Sequence, residues 1–151
     1  MTRNESEDEK ADRKFSDLLQ ELRVMQTGVV LIAGFLLTLP FQRAFYDLTD
    51  GQRRVYLALV VLVGLTTALV LAPVAVHRQL SGRHVKDRVV EVAHRLAQAA
   101  LAFVVLLMVG IIGFIFDVVG DRTTALVVAG AMAVVAGLLM YVLPHRIVDR
   151  E

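Results

Sequence analysis

The residues that could do chemistry in this chain stand at the margins of its apolar runs. Glu21 and Arg23 precede the first run, His77 and Arg78 follow the second, and His94 and Arg95 precede the third. Gln26 and Gln98 lie about one turn inside the first and third. On helices that cross and recross a membrane, these eight residues come to the same edge and form a polar mouth. Glu21 bridging Arg95 or Arg78, beside histidines that titrate near neutral pH, would suit a gate, a proton-sensing group or a ligand site. The plainer reading of the same residues is anchorage: basic side chains reach lipid phosphates and the acid offsets them. His77, His84, His94 and His145 show no metal-ligand spacing on one helix face. The chain has no cysteine, so disulfides, thiolate metal sites and a cysteine nucleophile are excluded. It also has no glycine-rich phosphate loop, metal-binding helix motif or nucleophile elbow. The expectation is a non-enzymatic protein without metal or cofactor.

The elements that must position these residues are four runs without charge, residues 24–42, 55–76, 96–116 and 123–143. A hydrocarbon layer about 30 Å thick needs roughly 20 apolar residues in helical form. Each run meets that length, and lipid offers the backbone no hydrogen bonds, so helices are required. The residues do not alternate as transmembrane strands would. Of the 151 residues 56% are hydrophobic, and the charged 21% is concentrated between the runs. The sequence therefore predicts an all-α integral membrane four-helix bundle with spans at about 24–41, 55–76, 96–116 and 123–143. The first 23 residues are charged throughout and read as neither a signal peptide nor a lipidation signal.

Residues 1–14 mix acids and bases and are expected to be a disordered tail. Phe15, Leu18, Leu19 and Leu22 then recur at helical spacing, which predicts an amphipathic helix lying at the membrane surface and turning into the first span. Pro40 should end that span. Phe45, Tyr46 and Tyr56 fall where aromatic rings settle at headgroups. Thr49 followed by Gln52 reads as a capping box for the second helix, and Pro73 sits in that helix's last turn. In the connection over residues 77–95, Val85, Val89, Val92 and Leu96 make a helical stripe. Arg83 with Asp87 and Glu91 with Arg95 are i,i+4 pairs, and Ser81 and Gly82 mark the break. The third helix should thus start well before the bilayer. Residues 117–122 make a short link, so the third and fourth helices are antiparallel neighbours, with Asp121 the N-cap of the last. Pro144 stops that helix, and residues 144–151 form a tail. Twelve lysines and arginines fall on the side of the two termini and four on the other, which places both termini in the cytoplasm of a multi-pass inner-membrane protein.

Within the spans, small residues mark close helix approach: Gly64, Ala68 and Ala72 in the second, and Ala125, Ala129, Ala133 and Gly137 in the fourth. They serve either packing within the chain or self-association. Thr27, Thr38, Thr66 and Thr67 can return their hydroxyl protons to carbonyls one turn back. Gln26 and Gln98 cannot satisfy an amide locally and should seek a partner helix; they could meet. No carboxylate lies inside a span, whereas ion-coupled transporters generally place one near the midplane.

Three segments carry a resemblance. Glu21-Leu22-Arg23-Val24-Met25-Gln26-Thr27-Gly28, Phe35-Leu36-Leu37-Thr38-Leu39-Pro40-Phe41-Gln42 and Leu71-Ala72-Pro73-Val74-Ala75-Val76-His77-Arg78 resemble a family of small four-helix actinobacterial membrane proteins of unknown function. Lys86-Asp87 and His94-Arg95-Leu96-Ala97 extend the likeness, which covers about residues 17–143. Some members of that family carry a sodium:proton antiporter label, which the missing intramembrane carboxylate argues against here. Two functions remain in view. One is a self-associating structural or accessory protein that contacts anionic lipid headgroups or a protein partner through its basic cytoplasmic face, without nucleic acid. The other is a small homo-oligomeric ion or proton transporter or channel, its path lined by Gln26, Thr27, Thr38 and Gln98.

Overall fold

A computed structural model describes the backbone of residues 7–80 and 86–148 and the side chains of residues 13–14, 16–75 and 91–140. It contains four α-helices, α1 (Glu7–Thr38), α2 (Asp50–Leu80), α3 (Lys86–Val119) and α4 (Arg122–Val148). Two 3-10 turns, Leu39–Phe41 and Arg43–Phe45, link α1 to α2, and no strand occurs among the described residues. The stretches Ser16–Phe41, Asp50–Ala75, Glu91–Val119 and Arg122–Met140 are each long and apolar enough to cross a membrane. The fold is that of an all-α, multi-pass membrane protein.

Local chemistry sets the helix ends. α1 stops at Thr38, where Pro40, which has no N–H to continue the α-helical ladder, passes the chain into the 3-10 turn Leu39–Phe41. The capping box forms: Thr49 N–H donates to Gln52 Oε1 at 3.0 Å, and Gln52 N–H donates to Thr49 Oγ1 at 3.3 Å. Asp121 caps α4, Oδ1 accepting from the backbone N–H groups of Thr123 and Thr124 at 2.9 and 3.0 Å. α3 begins at Lys86, ten residues before its charge-free run. The break at Ser81 and Gly82, the Arg83 and Asp87 pair, Val85 and His84 lie outside the described residues.

Two expectations are corrected. α4 does not stop at Pro144 but continues to Val148, a proline in a helix interior removing one hydrogen bond without ending the helix. α1, in turn, starts early. Residues 7–14, assigned from sequence to a disordered tail, are helical. Glu, Asp, Lys, Ala and Arg fill this stretch, and a helix already nucleated at Phe15 to Leu22 propagates through most of them at little cost. The amphipathic segment runs into the span without a turn. Its Leu18 and Leu22 are buried against protein.

The chain packs as two compact units. One comprises Met1–Leu37 with Val63–Val104, the other Thr38–Leu62 with Val105–Glu151. In the first, Leu18, Leu22, Val70, Ala93, Ala97 and Ala100 form a buried cluster, with Leu19, Met25 and Leu69 packed on it. Leu18, Leu22 and Met25 on α1 follow steps of four and three, as do Ala93, Ala97 and Ala100 on α3. Large side chains on one helix thus face small ones on the other, which is close packing of the knob-and-hole kind. The stripe read from sequence is displaced by one residue, since Val92 is exposed while Ala93 is fully buried. An alanine in the packed line lets two backbones approach, and the bulkier valine is left on the exposed side.

In the second unit α3 carries the close approaches. A methyl group added at Gly110 would stand 2.7 Å from Leu59 Cδ2, and one at Gly113 would stand 3.1 Å from Ala129 Cβ. Ala125 is buried and Ala129 half-buried here, so that part of the α4 stripe packs within the chain, whereas Ala133 and Gly137 are exposed. The α2 stripe is not a packed face within the chain: Gly64 and Ala68 are exposed and Ala72 is half-buried. The buried line of α2 is instead Tyr56, Leu59, Val63, Thr66, Val70 and Pro73. A helix apolar on every side does not reveal its packed face by hydrophobicity.

Candidate functional site

The polar residues expected at one membrane edge belong to the first unit. On α1, Glu21, Arg23 and Gln26 are exposed, and the Thr27 hydroxyl donates to the Arg23 carbonyl at 3.0 Å. On α3, Arg95 Nη2 lies 2.6 Å from Glu91 Oε1, the i,i+4 pair read from sequence. Arg95 thus spends a charge-assisted bond within its own helix, and both partners are well exposed, so the pair contributes little to stability. Gln98 Nε2 lies 3.1 Å from His94 Nε2. With the ring neutral and its proton on Nδ1, the amide donates to that nitrogen. Gln98 therefore finds a partner one turn back on α3, and no hydrogen bond to the Gln26 amide occurs among the described residues. The side chains of His77 and Arg78, and of His145, lie outside the described residues.

The remaining intramembrane positions are structural in geometry. Thr67 donates its hydroxyl proton to the Val63 carbonyl at 2.8 Å. Thr66 and Pro73 are buried inside α2, which continues past the proline to Leu80. Thr38 is exposed where α1 gives way to the 3-10 turn holding Pro40. Among the described residues no group of three or more histidines, aspartates or glutamates could hold a metal ion.

The second unit holds a junction that the sequence reading did not find. Gln52, already in the capping box through Oε1, donates Nε2–H to the Asp117 carbonyl in the last turn of α3 at 2.8 Å. One side chain thus closes the start of α2 and ties it to the end of α3. The available signal was the residue type, because a glutamine in a capping box keeps a donor that a glutamate lacks. Beneath it Tyr56 packs edge-on to Phe45, ring centroids 5.0 Å apart, and lies 6.4 Å from Phe114. The Arg53 guanidinium stands over the Phe45 ring at 5.9 Å, within reach of a cation–π attraction. At Asp121, the hydroxyl of Thr124 donates to Oδ2 at 2.6 Å. That bond foremost, with the backbone N–H groups of Thr124 and Thr123, holds the carboxyl below its ordinary range.

A family model matches residues 4–144, nearly the whole described chain. The chain belongs to the DUF6328 family. This is a family of unknown function, in keeping with the resemblance carried by the segments around Gln26, Pro40 and Pro73. No curated protein and no solved structure matches it. Family membership brings no activity to this DUF6328 chain, and a functional reading has to come from its own residues.

Proposed function

We propose that this protein is a non-enzymatic structural or accessory protein of the cell membrane, with both termini cytoplasmic. It self-associates and holds anionic lipid or a protein partner through its basic cytoplasmic face. The observation that carries this reading is where the polar side chains go. Thr27, Thr67 and Gln98 are engaged on their own helices, and Thr66 is the one polar or charged residue buried among those described. A conducting route through one protomer needs convergent polar groups facing water. The basic face follows from the lysine and arginine asymmetry, whose attraction to anionic headgroups is about 1 kcal/mol per residue near the surface.

One observation favours a second reading. Gln26, Thr27, Thr38 and Gln98 are exposed, so several protomers could line a path with them. Proteoliposomes carrying the purified protein, assayed for proton and sodium flux, distinguish the two. The accessory reading expects flux equal to that of empty vesicles, with anionic phospholipid retained over zwitterionic lipid in native mass spectra. Flux that Gln26→Leu abolishes would overturn it in favour of the oligomeric path.

A further inference from the structure

Gln26 differs from the other polar residues of the spans. Thr27, one position on, has given its hydroxyl proton to the Arg23 carbonyl, and Gln98 has turned to His94. Gln26 is exposed, inside the charge-free run of α1, and its amide has no hydrogen bond among the described residues. An amide has two donors and an acceptor with two lone pairs, and leaving them unmet toward hydrocarbon is costly. The same outward side of α1 carries Val30, Gly34 and Leu37, all exposed, and a methyl group built on Gly34 would meet nothing within 4 Å. These positions follow Gln26 at intervals of four, four and three, so one narrow face joins them.

We infer that this face of α1 is where a second copy of the chain docks, with the Gln26 amides of the two copies bonding to each other. The proposal rests on the self-association in the reading above and names its contact. The occupant follows from symmetry and chemistry. Two copies inserted in the same direction are related by an axis along the membrane normal, which brings identical residues to the same depth. A carboxamide is its own complement: Nε2–H of each Gln26 donates to Oε1 of the other. A glutamate or lysine at this position would repel its copy, and a leucine would be indifferent to it. Gly34, two turns deeper, lets the backbones approach along the same line.

The cysteine-free chain makes the test clean. Single cysteines at Gln26, Val30, Val61 and Val134 place a thiol on exposed positions of α1, α2 and α4. Mild oxidation in native membranes, at low protein-to-lipid ratio, should give disulfide dimers from Gln26→Cys and Val30→Cys and few from Val61→Cys or Val134→Cys. Native mass spectrometry in nanodiscs should show Gln26→Leu weakening the dimer roughly tenfold, the scale of an interhelical amide bond, with Gln26→Asn closer to the parent. Dimers cross-linked through Val134→Cys or Val61→Cys but not through α1 would overturn this contact and leave self-association standing. A monomeric parent with no cross-link at any position would overturn both. A Gln26→Leu dimer as tight as the parent, despite cross-linking at position 26, would refute the amide pair.

Discussion

Replacing Gln52 with alanine should cost more than replacing its capping-box partner Thr49, because its amide makes two bonds that serve different helices. Oε1 accepts from Thr49 N–H at 3.0 Å, and Nε2 donates to the Asp117 carbonyl at 2.8 Å, in a half-buried place. A net hydrogen bond is worth about 0.5–1.5 kcal/mol, and interhelical bonds in membrane proteins average about 0.6 kcal/mol. Gln52→Ala should therefore destabilise by about 1–2 kcal/mol. Thr49→Ala removes only the exposed 3.3 Å bond from Gln52 N–H, at about 0.5–1 kcal/mol. Gln52→Glu separates the two roles. A carboxylate still accepts from Thr49 N–H and suits a helix N-terminus, but it cannot donate to Asp117 and sets a negative oxygen against that carbonyl. It should lose about 1 kcal/mol. Reversible unfolding in mixed micelles, titrated with a denaturing detergent, measures all three. Gln52→Ala no worse than Thr49→Ala, or Gln52→Glu as stable as the parent, would show that the bond to Asp117 does not hold α2 to α3.

Two further perturbations probe other parts of the fold. Gly110→Ala brings a methyl group 2.7 Å from Leu59 Cδ2 and should destabilise by up to about 2 kcal/mol, overpacking outweighing the helix preference of alanine; the same micelle unfolding should show the penalty shrinking in a Leu59→Ala background. The carboxyl of Asp121, held low by Thr124, contributes stability that is full above the ordinary aspartate pKa, about 3.9, and is lost as the pH falls through its lower folded value. Melting curves of the parent should therefore fall in that acidic window. Thr124→Ala should move the fall to higher pH, and Asp121→Asn should remove this contribution to it.

What was legible in the sequence is what depends on a few neighbouring residues. The charge-free runs give the spans, Pro40 ends α1, Thr49 and Gln52 box α2, Asp121 caps α4, and Glu91 pairs with Arg95, since each rests on spacing within one helix. The packed faces were not legible. Gly64 and Ala68 look on paper like Ala125 and Ala129, yet the α4 pair lies against Gly113 of α3 while Gly64 and Ala68 are exposed. The alanine line of α3 was hidden behind the bulkier Val92 and Leu96, because hydrophobicity ranks valine and leucine above alanine whereas close approach of two helices favours the smaller residue. The bond from Gln52 to Asp117 joins residues 65 positions apart, a distance over which one sequence carries no signal. The expected meeting of Gln26 with Gln98 lost to a local competitor, His94 at one turn's distance.

The unbroken course of α1 has a mechanical consequence. Its 32 residues make a rod about 48 Å long, and about 25 Å of it precedes the first charge-free residue. Glu21, at the aqueous end, and Gln26, in the span, are fixed at about 140° to one another around the axis by the helical repeat. A rod with no hinge does not absorb rotation. Whatever grips the charged end and turns it also turns the Gln26 face, by the same angle, inside the bilayer. Leu18 and Leu22, close-packed among Ala93, Ala97 and Ala100, oppose that turning, so the contacts that hold the charged end also set the direction in which the Gln26 face looks.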